Sequence, residues 1–224
     1  EEPNVDIGQH CSSPYPCDFA DHCWKHIPEY STFNIARLRA DKKFDLYNKN
    51  AISFHDIPND YPLNEKQWMQ VNSELNNESF IDKEAIQKFV SQLNYPIHHL
   101  DFETFGTAIP IFDMSKPFQQ LVFQYSLHIL QKNGQIEHKE FIHIDSSTPV
   151  NIVARKLRED IGDEGSIIVW NQGFEGKCNS DLANVNPDLQ HFLLGLNARI
   201  FDLMKIFERM EYLHHDFRGS YSIK

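Results

Sequence analysis

The sequence predicts an α/β fold, a mixed sheet flanked by helices, with a small mainly helical N-terminal extension. Three observations lead there. Beyond Pro96, three runs rich in β-branched and aromatic residues follow one another, and a helical stretch, a short apolar run and further helical stretches come after them. Before Pro96 the apolar spacing is helical instead. A hydrophobic content of 41% over 224 residues is enough for a sizeable core.

In chain order, residues 34 to 49 ("NIARLRADKKFDLYNK") place Ile35, Leu38 and Leu46 at helical spacing. Residues 82 to 93 ("DKEAIQKFVSQL") are a stronger helix: Asp82 can cap it, and Ala85, Ile86, Phe89, Val90 and Leu93 share a face. The stretch between them, with Pro58, Pro62 and many asparagines, reads as a connector of short elements. A domain boundary is expected at Asn94-Tyr95-Pro96, because proline disfavours helix in the residue before it. This divides the chain into 1–95 and 96–224.

Strands are expected over 97–103, 120–130 and 135–145, the last two joined by a hairpin turn at Lys132-Asn133-Gly134. Thr148-Pro149 opens a helix to about Arg158, with Thr as cap and Pro at its first position. "SIIVW" (166–170) reads as a buried strand. "FEGKCNSDLA", "DLQHFLLGL" and "RIFDLMKIFERM" supply three helices.

The formal net charge of −11 argues against a general phosphate-binding surface, since nonspecific nucleic-acid affinity comes mostly from Lys and Arg. Nucleic acid would have to be held locally or through a metal. No run approaches the roughly 18 to 20 apolar residues that a membrane span needs, and the start has neither a basic nor an apolar leader. The expectation is a cytoplasmic protein with no membrane partner. Both ends read as cuts in a longer polypeptide.

Two acidic motifs carry the chemistry. Hydrolysis of a phosphodiester by the two-metal route needs several carboxylates converging on cations about 3.5 to 4 Å apart. Asp101-x-Glu103 in "HLDFETFG" suits this, because residues two apart on a strand point to one face. Alone, the pair is weak evidence, and solvated acids at a strand end are the simpler reading. "VWNQGFEGK" places Asn171 and Glu175 just after the strand 166–170, with Glu175 near a helix start, where capping is the simpler role.

Together the two motifs resemble, in order and separation, the DEDD superfamily of 3'-to-5' exonucleases, which have an RNase H-like fold. Asp101 and Glu103 match its first motif, and Asn171, Phe174 and Glu175 match its second, with Glu standing where the superfamily has Asp. The resemblance implies Mg2+ or Mn2+ held by Asp101, Glu103 and Glu175. Asp202 in "RIFDLMKIF" matches the superfamily's recurrent Asp at a helix start, near the site. Tyr212 and Asp216 fit a Tyr-x3-Asp last motif but sit where a loop is more natural, so the last acid is expected beyond Lys224. More closely, "LDFETFGTAIPIF", "PFQQLVFQYSLHI", "FDLMKIF" and "FRGSYSIK" resemble a bacterial family of uncharacterised proteins. Its longer members carry an iron-sulfur nuclease-like region before this exonuclease-like domain. Such a region upstream in the same polypeptide is therefore an implied partner.

Cys11-x5-Cys17-x5-Cys23 lacks the Cys-x2-Cys pairs of a zinc ribbon, and three thiolates leave a metal one ligand short. His10, His22 or His26 can complete a Zn2+ site. A cysteine upstream would complete a [4Fe-4S] cluster, as the tripod of helicase-related nucleases implies. The plain alternative is three small thiols in a reducing compartment. His99 is expected on the face of Asp101 and Glu103. Phe105, Phe118, Phe123 and Tyr125 read as core or as base-stacking aromatics. Cys178 has no evident catalytic partner.

Two readings of function follow. One is a divalent-metal-dependent 3'-to-5' exonuclease domain acting on DNA or RNA. The other is a catalytically silent nucleic-acid- or protein-binding module of a larger nuclease.

Overall fold

The structure, a computed structural model, describes residues 5–113 and 115–223. Lys224 and the first four residues, which bear on the expected cut ends, lie outside them. In chain order the elements are α1 (Ala20–Cys23), α2 (Ala40–Asn48), α3 (Glu65–Asn76), β1 (Phe80–Ile81), α4 (Lys83–Val90), β2 (Ile97–Phe105), β3 (Leu121–Leu130), β4 (Ile136–Ile142), α5 (Val150–Ile161), β5 (Ser166–Val169), α6 (Gln172–Val185), α7 (Gln190–Asn197), β6 (Ile200–Asp202), α8 (Met204–Glu208) and β7 (Tyr212–Leu213). Short 3-10 turns lie between them, the last at His215–Phe217.

Two compact units result. One runs to Lys83 and takes up the chain again from Phe207; the other is Glu84–Ile206. The expected division at residue 95 differs from this, because α4 belongs with the sheet and the closing segment belongs with the N-terminal residues. Chain continuity does not reveal that return.

The sheet unit contains five strands in the order β4-β3-β2-β5-β6. β2 pairs antiparallel with β3, and β3 with β4, while β5 is parallel to both β2 and β6. This is the mixed α/β sheet expected. The hairpin between β3 and β4 closes through Gln131 and Gln135, with Gly134 at a φ of 86° that glycine adopts without strain. One face of the sheet meets α5, α6 and α7 in a core of Leu100, Phe102, Leu127, Leu157, Ile167, Leu182 and neighbours. Tyr125 belongs to that core, fully buried, and its hydroxyl donates to Asp160 Oδ2 at 2.5 Å. On the other face, Phe89 of α4 packs edge-on against Phe201 of β6.

The N-terminal unit has its own core of Ile35, Leu38, Leu46, Phe54, Tyr61 and Val71. It is mainly helical, as expected, but two details differ. Helix α2 begins only at Ala40, because Arg37 adopts a positive φ of 55° that breaks a helix running from residue 34. The supposed connector contains the twelve-residue helix α3. Asn64 caps it, accepting from Gln67 N–H at 3.0 Å, and Gln67 Oε1 accepts from Asn64 N–H at 3.0 Å. That reciprocal box is readable as Asn-x-x-Gln.

A third difference matters for the site. "RIFDLMKIFERM" is not one helix. Ile200–Asp202 is an edge strand, and only Met204–Glu208 is helical. Parallel pairing with β5 extends the first three residues, and Asp202 Oδ1 then accepts from Met204 N–H at 3.1 Å to start the short helix.

Candidate functional site

Strand β2 alternates as its sequence dictates. Leu100 and Phe102 enter the core at 3% and 1% exposure, while His99 and Asp101 are exposed and Glu103 is half-buried on the other face. Asp101 lies opposite Ser126 and Glu103 opposite Gln124 on β3, and the pairing register shifts just after Glu103. The shared face of Asp101 and Glu103 is thus a property of the strand.

Glu175 comes from the next parallel strand. Trp170 follows β5, and Asn171 caps α6, its side chain accepting from Gly173 N–H at 3.1 Å. Glu175 falls in the first turn and is buried at 3% exposure. One turn on, Cys178 is buried too. Burial pushes its thiol up to about 12, and the neighbouring charge of Glu175 adds to the rise. Cys178 is therefore a neutral core residue rather than a nucleophile. Asp202 ends β6 beside Val169 in register, at 7% exposure, with its carboxylate on the Met204 amide. Val169 belongs to the helix-covered core face, so Asp202 points to that side of the sheet.

Asp202 ends β6, Glu175 follows the end of β5, and Asp101 and Glu103, in the middle and second half of β2, lie level with or just past those ends in register, the side where open α/β sheets place ligands. The structure does not bring them to one point. Asp101 and Glu103 lie on one face, Asp202 on the other. Among the described residues, no three of these acids have ligand atoms within 4.8 Å of one another. Carboxylate oxygens without imidazole or thiolate suit a hard cation such as Mg2+ or Mn2+. The donor chemistry fits; the distances would need to close.

The other expected residues are scattered in role. Cys11 is buried, Cys17 exposed and Cys23 half-buried, all as free thiols. Cys17 N–H donates to Cys11 O at 2.9 Å, so the cluster is a compact turn, but its sulfurs are not in a three-ligand group within 4.8 Å. Phe105 packs edge-on against Phe112 and Phe123, while Phe118 is 69% exposed. A cavity of about 200 Å³ lies between the loop after β2, the start of α5 and the second half of α6, lined by Asp113, Gln119, Asn151 and Asp181 among others. The four acids are not among its lining residues.

Sequence reading missed a row of histidines. His99 pairs in register with His128, and His128 with His138, on the exposed face of three adjacent strands. The rings of His128 and His138 stack at 4.2 Å. Only strand register reveals the row, since the three are far apart in the chain.

Fold and site together define an α/β domain with four acids on or just after three neighbouring parallel strands. Residues 98–222, more than half of the chain, match the family described as a domain of unknown function, DUF2779, and the protein belongs to that family. Neither a curated protein nor a solved structure matches the chain. No helix among the described residues is long and apolar enough to cross a membrane.

Proposed function

We propose that the chain is a divalent-metal-dependent exonuclease domain of the DEDD type that shortens DNA or RNA from the 3' end. One observation carries the reading. Asp101 and Glu103 on β2, Glu175 after β5 and Asp202 at the end of β6 come from three neighbouring parallel strands and lie near the level where β5 and β6 end. Mg2+ or Mn2+ would be held by Asp101, Glu103 and Glu175, with Asp202 nearby at the end of β6 but on the opposite face of the sheet, and when bound would polarise the phosphodiester and lower the pKa of water. Exposed Asp101 offers its oxygens to a cation arriving from solvent. Asn171 orients Glu175 by capping the helix that carries it. Asp202 sets the start of α8 and so positions the chain beside the site. On the same reading the partners are nucleic-acid ends or single strands and an upstream nuclease-like region. The compartment is the cytoplasm, and Cys11, Cys17 and Cys23 contribute to a [4Fe-4S] cluster or a Zn2+ site.

Labelled single-stranded DNA, single-stranded RNA and blunt duplexes, incubated with the chain in Mn2+ and in EDTA, test this. Mn2+-dependent shortening from the 3' end is expected, falling to background in Asp101→Asn and in Glu175→Gln. Cleavage that persists in both variants refutes the assignment.

The second reading is a catalytically silent binding module. It is favoured by the absence, among the described residues, of any three of these acids with ligand atoms within 4.8 Å of one another, and by the net charge of −11. It predicts no cleavage in Mn2+ of any of the three substrates.

A further inference from the structure

We infer that His214, His215 and Asp216 form a binding site for a divalent transition ion of the zinc type, built on residues other than the acids of β2, α6 and β6. The argument begins with a short ladder. β7 pairs antiparallel with β1, Leu213 opposite Phe80 and Tyr212 opposite Ile81, and Asp82 N–H donates to Glu211 O at 2.7 Å. Leu213 is buried, so the chain leaves the ladder in a fixed direction at His214. The 3-10 turn His215–Phe217 then folds it back. The result is that three consecutive side chains converge, with ligand atoms all within 4.8 Å of one another. Among the described residues this is the one such group of three.

The contacts inside the group are long. His214 Nδ1 stands 3.5 Å from Asp216 Oδ2, and His215 Nε2 stands 3.4 Å from Asp216 Oδ1. Strong charge-assisted bonds are nearer 2.7 to 2.9 Å. His214 Nδ1 accepts the Asp216 amide at 3.2 Å, so its lone pair is turned toward Asp216 and an ion binding there displaces that long bond. The two imidazoles stack at 4.3 Å, so the pair moves as one unit on the turn. His215 Nδ1 is buried with no hydrogen-bond partner, so Nε2, which faces Asp216, is the nitrogen open to an ion. A tetrahedral zinc ion with bonds of about 2.0 to 2.2 Å sets its ligand atoms roughly 3.3 Å apart. The three groups reach that by small inward rotations.

The turn has support on both sides. Phe217 packs against His214, Tyr212 and Phe207, an aromatic wall that fixes the rotamers. Gly219 holds a φ of 74°, where a Cβ would fall 2.1 Å from Asn34 O, so the chain beyond the turn is clamped to the N-terminal unit. Two imidazoles and a carboxylate select Zn2+ over Mg2+, which takes mostly oxygen ligands. One position remains open for water or an incoming donor.

The test uses the full chain stripped with EDTA, titrated with Zn2+ by calorimetry and with Co2+ by absorption. Expected is a loss of one equivalent of Zn2+ in Asp216→Asn and in the double variant His214→Gln/His215→Gln. The double variant His128→Gln/His138→Gln keeps that equivalent. Co2+ at the site gives weak visible bands without thiolate charge-transfer absorption, which separates it from the cysteine cluster. Asp216 is exposed and the amide is isosteric, so circular dichroism of the metal-free variant should match the parent. Unchanged Zn2+ stoichiometry and affinity in both variants, or Co2+ bound solely through thiolates, overturns the proposal. Neither outcome bears on the exonuclease reading, which rests on Asp101 and Glu175.

Discussion

At the scale of single residues, His98 and His99 are neighbours with opposite environments. His99 faces outward beside Asp101, while His98 is 2% exposed with Nδ1 3.3 Å from Ser166 O. Burial pushes the His98 imidazole below its usual range, and the Ser166 carbonyl only partly offsets this. The neutral ring is then the folded form, and it donates Nδ1–H to that carbonyl. In the unfolded chain the ring takes a proton near pH 6.5. The unfolded state therefore binds more protons below that pH, so the stability this group allows is present above about 6.5 and is lost as pH falls through and below it. Urea denaturation at pH 7.5 and 5.5 should show a smaller loss of stability in His98→Leu than in the parent. Equal losses would place the titrating group elsewhere.

At the scale of elements, the carboxyl edge depends on how β2 and β5 start. Ser166 N–H donates to Asn94 O at 2.9 Å, and Ser166 Oγ accepts from Asn94 N–H at 2.9 Å, so the two strands are clasped at their amino ends. Gly165, just before the clasp, has a φ of 83°, and a Cβ there would lie 1.9 Å from Pro96 O. Neither the backbone conformation nor the space admits a side chain. Gly165→Ala should cost about 3 kcal/mol or more, because relief requires separating the two strands. A thermal melt reads this directly; a shift of the midpoint under 2 °C would mean the clasp is not part of the cooperative core. By contrast, Gly134 has nothing near its Cβ position, so its requirement is the turn conformation alone.

At the scale of the whole molecule, a net charge of −11 sets how nucleic acid can be bound. The 21 Lys and Arg side chains are outnumbered by 32 Asp and Glu, so affinity should depend on divalent cations bridging carboxylate and phosphate. Fluorescence anisotropy of a labelled single strand is expected to show no binding in EDTA and measurable binding in Ca2+. The dependence of log affinity on log salt should be shallow, a slope of magnitude about 2 or less. Tight, steeply salt-dependent binding in EDTA would point instead to a basic surface and count against the acidic edge as the contact.

The sequence by itself determined the elements whose periodicity is local: the long strands β2 and β3, the β3–β4 turn, the helices α5 and α6, and the common face of Asp101 and Glu103. It also carried the Asn64–Gln67 capping box, though many prolines and asparagines nearby masked the helix behind it. Only the tertiary structure decided that Ile200–Asp202 is a strand. Three residues hold no usable period, and their conformation comes from the backbone bonds that β5 supplies. The same reason explains the histidine row, the return of the closing segment to the N-terminal unit, and the placing of Glu175 and Asp202 on strands and helices neighbouring the strand of Asp101. Local side-chain pattern specifies which way a residue points along its own strand; which other residues it meets is decided by register and chain return, interactions between segments that no local pattern encodes.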